Sequence, residues 1–191
     1  MSNKIINDKK QSRVLVNLLG IPLLLSAIIF GGIYFQCLIF IAIIMCTLEL
    51  NTMCLKKGIE IQMLSIFLFY LYLFLTHFIE PLNMEVLILA TIFILSFEVF
   101  RKKNNPIENI ALTVLSMVWI GVFLNCLVVI RNFSGGDGLT LIMFLSVWIC
   151  DSAAFIFGSK FGKTKILPKI SPNKTWLGTI FGIVSVFILL I

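Results

Sequence analysis

The sequence predicts an all-α, polytopic membrane protein: a bundle of about seven transmembrane helices in one integral-membrane domain over residues 1–191. Three observations carry this expectation. Hydrophobic residues fill 60% of the 191 positions and the mean hydropathy is +1.08, whereas soluble domains are roughly 45–50% apolar. The apolar residues come in continuous runs rather than the alternating stretches of a β-barrel, and helices satisfy their own backbone polar groups inside a bilayer. The basic residues, finally, are sorted by side.

The runs fall at 14–31, 33–51, 62–79, 83–100, 108–130, 139–158 and 175–191, each near the roughly 20 residues that a helical span requires. The first begins close to the N-terminus, but it lacks a small-residue cleavage site and a second run follows at once, so it reads as a retained span. Gly31-Gly32 supplies the turn to the second run, which carries Glu49 near its end. Pro81 and Asn83 break the chain between the third and fourth runs. The fourth carries Glu98, and Asn104-Asn105-Pro106 separates it from the fifth. Ser134-Gly135-Gly136-Asp137-Gly138 is a flexible turn before the sixth; it has no lysine and is not a phosphate loop. The sixth run carries Asp151. The last, from Trp176 to Ile191, measures about 24 Å as a helix against a hydrocarbon core of about 30 Å. It is expected to be an incomplete span, finished by further chain or by a partner.

If the spans alternate, every one of the 15 Lys and Arg residues except Arg131 falls on one side. These are Lys4, Lys9, Lys10 and Arg13; Lys56 and Lys57; Arg101, Lys102 and Lys103; and Lys160, Lys163, Lys165, Lys169 and Lys174. The positive-inside rule makes that side, with the N-terminus, cytoplasmic; in a bacterium the membrane is the inner one. The net charge of +6 then follows from topology and anionic lipid headgroups. No nucleic-acid motif accompanies it, and no nucleic-acid partner is expected. The five cysteines lie in or beside apolar runs with no C-x-x-C pair, and read as small buried hydrophobes.

Carboxylates inside spans are costly and mark function by default. Glu49, Glu98 and Asp151 lie toward the same face as the lysines, so a polar cavity there is expected, with Asp151 the deepest member. Glu49 and Glu98 have a plainer alternative in pairing with Lys56 or Arg101. After the sixth run, Gly158 and Gly162 permit close backbone approach, and Lys160, Lys163, Lys165 and Lys169 offer charge to phosphate oxygens. Ser171-Pro172 is expected to open the last helix as N-cap and first residue. Its free N–H groups would form an anion site, with Lys174 and Thr175 in its first turn. The plainer alternative is that these lysines only set orientation and the serine only caps.

The run Asp151-Ser152-Ala153-Ala154-Phe155, Phe157-Gly158, Phe161-Gly162-Lys163 and Ser171-Pro172-Asn173-Lys174-Thr175-Trp176-Leu177-Gly178 resembles phosphatidate cytidylyltransferase, also called CDP-diglyceride synthase. Glu49 also lies where that family tends to carry a glutamate. The resemblance is sharp over this segment and diffuse elsewhere. It implies an integral-membrane enzyme that joins CTP and phosphatidic acid into CDP-diacylglycerol and pyrophosphate with Mg2+. It further implies that Asp151 and Lys174 are catalytic, Asp151 also touching the metal, and that Lys163, Ser171, Thr175, Gly158 and Gly162 meet substrate phosphates.

Two departures stand out. Leu177 replaces the family's usual glutamate. The family's C-terminal signature, S-x-x-K-R-x-x-K-D followed by H-G-G-x-x-D-R-x-D with the main metal-binding aspartates, does not occur in these residues. The expectation is therefore an N-terminal part of such an enzyme, inactive on its own. A homodimer remains open. So do a transporter or lipid-binding scaffold, and a related CTP-dependent enzyme acting on a polyprenol or ether lipid.

Overall fold

The computed structural model describes residues 19–79 and 84–191. The expected break at Pro81 and Asn83, the N-terminal basic cluster and the start of the first span lie outside the described residues. The chain forms two compact units, one ending at Ser134 and one running from Gly135 to Ile191.

In the first unit α1 (Leu19–Phe30) leads into α2 (Gly32–Leu55), followed by α3 (Met63–Ile79) and α4 (Met84–Arg101). A 26-residue helical rod then spans Pro106–Arg131. It consists of α5 (Pro106–Leu115), a π-helical stretch (Ser116–Val122) and α6 (Phe123–Arg131). The turn expected at Gly31-Gly32 is present, with φ of 62° and 50°, values that glycine adopts without steric cost. Asn105 takes the left-handed conformation and Pro106 occupies the first turn of α5, as the Asn-Asn-Pro punctuation predicts.

Phe35, Ile39 and Ile43 of α2, Ile66, Tyr70 and Leu73 of α3, Met117 and Val128 form the core of this unit. Tyr70 ties three helices together. Its hydroxyl donates to the Ser116 carbonyl at 3.0 Å and lies 2.9 Å from Thr47 Oγ1. Its ring presses on Gly121, where a Cβ would come within 2.5 Å of Cε1. The π-helical stretch lies at this contact; such wide turns mark sites where the regular ladder yields to a local demand.

A polar knot joins the α2–α3 connection to the end of α4 and the start of α5. The buried Glu98 carboxylate accepts from Gln62 Nε2 (2.7 Å), Asn109 Nδ2 (2.8 Å) and Arg101 Nη1 (2.8 Å). Asn109 Oδ1 accepts from the Glu60 N–H, and Thr113 Oγ1 from the Gln62 N–H. Both carboxylate oxygens are thus bonded, the condition for keeping a charge in an apolar setting.

In the second unit α7 (Gly136–Phe161) is followed by a short antiparallel pair, β1 (Lys165–Leu167) and β2 (Ser171–Thr175), and by α8 (Trp176–Leu190). Helices α7 and α8 run antiparallel with almost no side chains between them. A Cβ on Gly178 would lie 2.6 Å from the Ala154 carbonyl, and one on Gly182 would lie 3.1 Å from the Cys150 carbonyl. Small residues four apart (Ala154 and Gly158 against Gly178 and Gly182) let the backbones touch, as in membrane helix pairs. Phe157 stacks on Phe181 with centroids 4.2 Å apart beside this seam.

The helical class follows the expectation, with the β1–β2 pair as its one departure among the described residues. Three helices are long and apolar enough to cross a membrane: Gly32–Leu55, Pro106–Arg131 and Gly136–Phe161. The described parts of α1, α3 and α8 are shorter apolar helices. Large exposed side chains such as Ile29, Phe100, Phe155 and Phe187 suit hydrocarbon rather than water, and this is a membrane protein.

Candidate active site

The polar segment after α7 folds differently from the expected helix start. Helix α7 ends at Gly162, whose N–H reaches back to the Gly158 carbonyl at 3.1 Å. The chain then forms β1, turns through an Ile170 N–H to Leu167 carbonyl bond, and returns as β2. Ser171-Pro172 lies in β2 and does not open a helix; Ser171 is paired with Leu167. The helix begins at Trp176, and its N-cap is Thr175, whose Oγ1 accepts from the Gly178 N–H at 3.3 Å. The physical reason is that Pro172, with φ fixed and no N–H, fits the end of an edge strand as well as a first helical turn. The cross-strand partner four residues upstream decides between the two.

This correction alters the anion chemistry. Two of the first three N–H groups of α8 are already bonded: Trp176 donates to the Thr164 carbonyl at 3.1 Å and Gly178 to Thr175 Oγ1. Little of the helix end is left to bind an anion through its backbone, so that task falls on side chains. Thr175 is buried, and its hydroxyl is engaged as a cap. Gly158 and Gly162 make room for it. A Cβ on Gly158 would sit 3.0 Å from Thr175 Oγ1, and one on Gly162 would run into the same side chain. The close approach expected of these glycines is therefore an approach of α7 to Thr175 and α8.

Between α7, the β1–β2 pair and α8 lies a cavity of about 750 Å³. Its lining takes Asp151 and Ser159 from α7 and Lys165, Ser171, Asn173 and Lys174 from the strands, together with the apolar Ala154, Phe155 and Ile183. Gly158, Gly162 and Thr175 also line it. Asp151, Lys174, Ser171, Thr175, Gly158 and Gly162, all singled out in the sequence, meet at this cavity. Asp151 lies about two turns of α7 before Gly158 and is exposed to the cavity space. Among the described residues it is the only carboxylate in the lining.

Lys163 does not line the cavity; it is exposed in the connection after Gly162. Lys165, two residues later, does. Glu49 and Glu98 belong to the first unit. Glu98 is held in the knot described above, its partner Arg101 being the one that the plainer reading named. Glu49 is exposed on α2 and joins no ion pair among the described residues. Asn173 is not among the expected site residues, and Lys165 is expected only as one of four loop lysines, without the place in the motif that Lys163 has. The signal that points to Asn173 is the period-two row Ser171, Asn173, Thr175, which is meaningful only once the segment is recognised as a strand. No group of three or more His, Cys, Asp or Glu residues comes together among the described residues.

Comparison with known proteins gives a consistent answer. Residues 11–191 match the model of the cytidylyltransferase family. The chain is similar to the phosphatidate cytidylyltransferase of Bacillus subtilis strain 168, with 30% identity over 190 residues covering 95% of this chain and 70% of that protein. It is also similar to the phosphatidate cytidylyltransferases of Staphylococcus haemolyticus (27% over 178 residues; 90% and 67%) and Staphylococcus epidermidis strain RP62A (28% over 175 residues; 90% and 66%). The chain thus spans about two thirds of the length of these relatives.

Proposed function

The chain belongs to the cytidylyltransferase family, and from that premise we propose that it serves phosphatidate cytidylyltransferase chemistry in phospholipid biosynthesis. A phosphate oxygen of phosphatidic acid attacks the α-phosphorus of CTP. The bond from that phosphorus to the β-phosphate bridge breaks, pyrophosphate leaves, and CDP-diacylglycerol forms. The observation that supports this most directly is the amphiphilic cavity in the second unit, whose lining combines ammonium groups and one carboxylate with apolar side chains. A lipid phosphate needs both kinds of lining, and a triphosphate needs the cations.

Both substrates are polyanions, so catalysis rests on alignment and charge neutralisation. Lys174 holds phosphate oxygens as a point charge, and Ser171 offers a hydroxyl donor beside it. In this reading Asp151 holds a divalent cation. A lone aspartate does not make a protein-only cage, but Mg2+ is commonly bound by one or two carboxylates together with substrate phosphates and water. The donor set therefore fits Mg2+ shared with CTP. When bound, the ion supplies neutralisation of the phosphate charge. Thr175, Gly158 and Gly162 keep the strand pair and α8 against α7 and so fix where Lys174 stands.

The protein is proposed to be multi-pass, with about seven spans, a cytoplasmic N-terminus and cytoplasmic basic segments, in the inner membrane if the host is bacterial. The sorting of its basic residues supports this. The deciding experiment expresses the complete reading frame in cells and supplies their membranes with labelled CTP, Mg2+ and phosphatidic acid. Labelled CDP-diacylglycerol is the expected product. If label enters a polyprenol or ether lipid instead, the acceptor is wrong; if no lipid gains label above vector membranes, the enzymatic reading is wrong.

A further inference from the structure

The cavity holds a second cation that the motif does not single out. We propose that Lys165, rather than Lys163, grips substrate phosphate together with Lys174; this rests on the functional reading above. Three observations carry it.

The first is register. Lys165 is paired with Thr175 across the antiparallel strands, and directly opposed residues project from the same face of a sheet. Thr175 projects toward Gly158 and Gly162, so the face it shares with Lys165 is the cavity face, and both residues line the cavity. The pairing is irregular: three residues of β1, from Lys165 to Leu167, face five of β2, from Thr175 back to Ser171. A bulge of this kind re-aims side chains, which lets Lys174 line the cavity beside its neighbour Thr175 instead of pointing away.

The second is anchorage. The backbone just before Lys165 is pinned by the Trp176 N–H to Thr164 carbonyl bond, and Lys165 itself by its strand partner. Its stem starts from a fixed point, so less freedom is lost when the ammonium engages a ligand. Lys163 stands in the connection outside the lining.

The third is charge. Lys165 and Lys174 are the only basic residues in the lining among the described residues. Neither takes part in an ion pair among the described residues, all of whose ion pairs involve Glu60 or Glu98. Two ammonium groups facing one carboxylate leave the cavity short of negative charge, and the nearby helix end has already spent most of its N–H groups internally. A phosphate group restores the balance.

The test compares Lys165→Ala, Lys165→Arg and Lys163→Ala in membranes, with KM and kcat determined separately for CTP and phosphatidic acid. Loss of a charge-assisted phosphate contact is expected to raise KM about tenfold or more in Lys165→Ala, at least fivefold beyond any rise in Lys163→Ala, with Lys165→Arg recovering most of it. A rise confined to CTP assigns Lys165 to the triphosphate; one confined to phosphatidic acid assigns it to the lipid phosphate. KM values for both substrates within twofold of wild type in Lys165→Ala, or a larger rise in Lys163→Ala, overturn the proposal. A readout independent of turnover is the thermal shift of purified, detergent-solubilised protein with CTP or inorganic pyrophosphate. The shift is expected to vanish in Lys165→Ala and persist in Lys163→Ala. A shift that persists in Lys165→Ala, or one absent from wild type with both polyanions, overturns the assignment. A wild-type shift without any lipid product refutes the proposed reaction and leaves the Lys165 assignment standing. Lys165→Gln replaces the alanine variant if the latter does not accumulate.

Discussion

The guanidinium of Arg131 caps the end of α1 through Ile28. Nε donates to the Ile28 carbonyl at 2.6 Å, and Nη2 to the Ile29 carbonyl at 3.1 Å. These are last-turn carbonyls with no partner inside their own helix, and a cation there also meets the negative end of the helix dipole. Arg131 is the one basic residue that charge sorting leaves on the opposite side from the rest. Its contacts supply a structural reason for its being there.

Arg131→Ala should therefore destabilise the first unit by about 2 kcal/mol, the usual worth of hydrogen bonds from a charged donor. The apparent melting temperature of the purified protein in detergent should fall by several degrees. Gly31→Ala should cost at least as much, because its Cβ would lie 2.5 Å from Arg131 Nη2 at a φ of +62°. A melting temperature unchanged in both variants would show that the cap contributes nothing.

Glu98 makes the opposite kind of prediction, a large loss of stability with chemistry spared. Removing its carboxylate takes an acceptor from Gln62, Asn109 and Arg101 at once, leaving them their bonds to the Ile94, Asn104 and Glu60 carbonyls and removing the buried partner of the Arg101 charge. Breaking a buried pair from one side costs about 3–5 kcal/mol. Glu98→Ala should accumulate poorly and elute as aggregate in size-exclusion chromatography. Glu98→Gln, which keeps one acceptor and the shape, should retain more folded protein, with KM for CTP near wild type. A tenfold rise in KM without loss of folded protein would place Glu98 in the substrate cavity after all.

What the sequence disclosed and what it hid divide along a physical line. Gly31-Gly32 and Asn105-Pro106 were readable because their signal is local: a positive φ or a fixed proline is written in two residues. The Glu98–Arg101 pair was half readable, since Arg101 is three residues away, while Gln62 and Asn109 arrive from other helices. The segment 171–175 was misread because Ser-Pro has two local solutions and Leu167 chooses between them from outside the window. Lys165 and Lys163 are indistinguishable by composition; only the strand register separates them. The four-residue spacing of Ala154 and Gly158, and of Gly178 and Gly182, is in plain view, but it becomes a packing seam only when α7 and α8 are known to lie side by side.

The corrected helix start can be tested by substituting the two rival caps. Thr175→Val keeps the shape of the side chain and removes the oxygen that accepts from Gly178. Loss of an N-cap costs about 1 kcal/mol, so the apparent melting temperature should drop by about 2–4 °C, and Thr175→Ser should restore it. Ser171→Ala, by contrast, should leave the melting temperature within a degree of wild type, because Ser171 caps no helix. A larger drop for Ser171→Ala than for Thr175→Val would return the helix start to Ser171-Pro172.

Asp151 carries the last prediction, which separates metal binding from general upkeep of the cavity. Its side chain is exposed on α7 and no hydrogen bond or ion pair involving it is found among the described contacts, so Asp151→Asn should leave the melting temperature unchanged. Asparagine keeps the size and one acceptor oxygen but gives up the charge that a hard cation requires. With CTP and phosphatidic acid saturating, the Mg2+ concentration for half-maximal activity should rise about tenfold or more. Raising Mg2+ should recover part of the lost rate, which a purely steric or folding defect would not allow. If activity falls but its dependence on Mg2+ keeps the wild-type midpoint, Asp151 acts on the substrates directly and the ion is held by other groups.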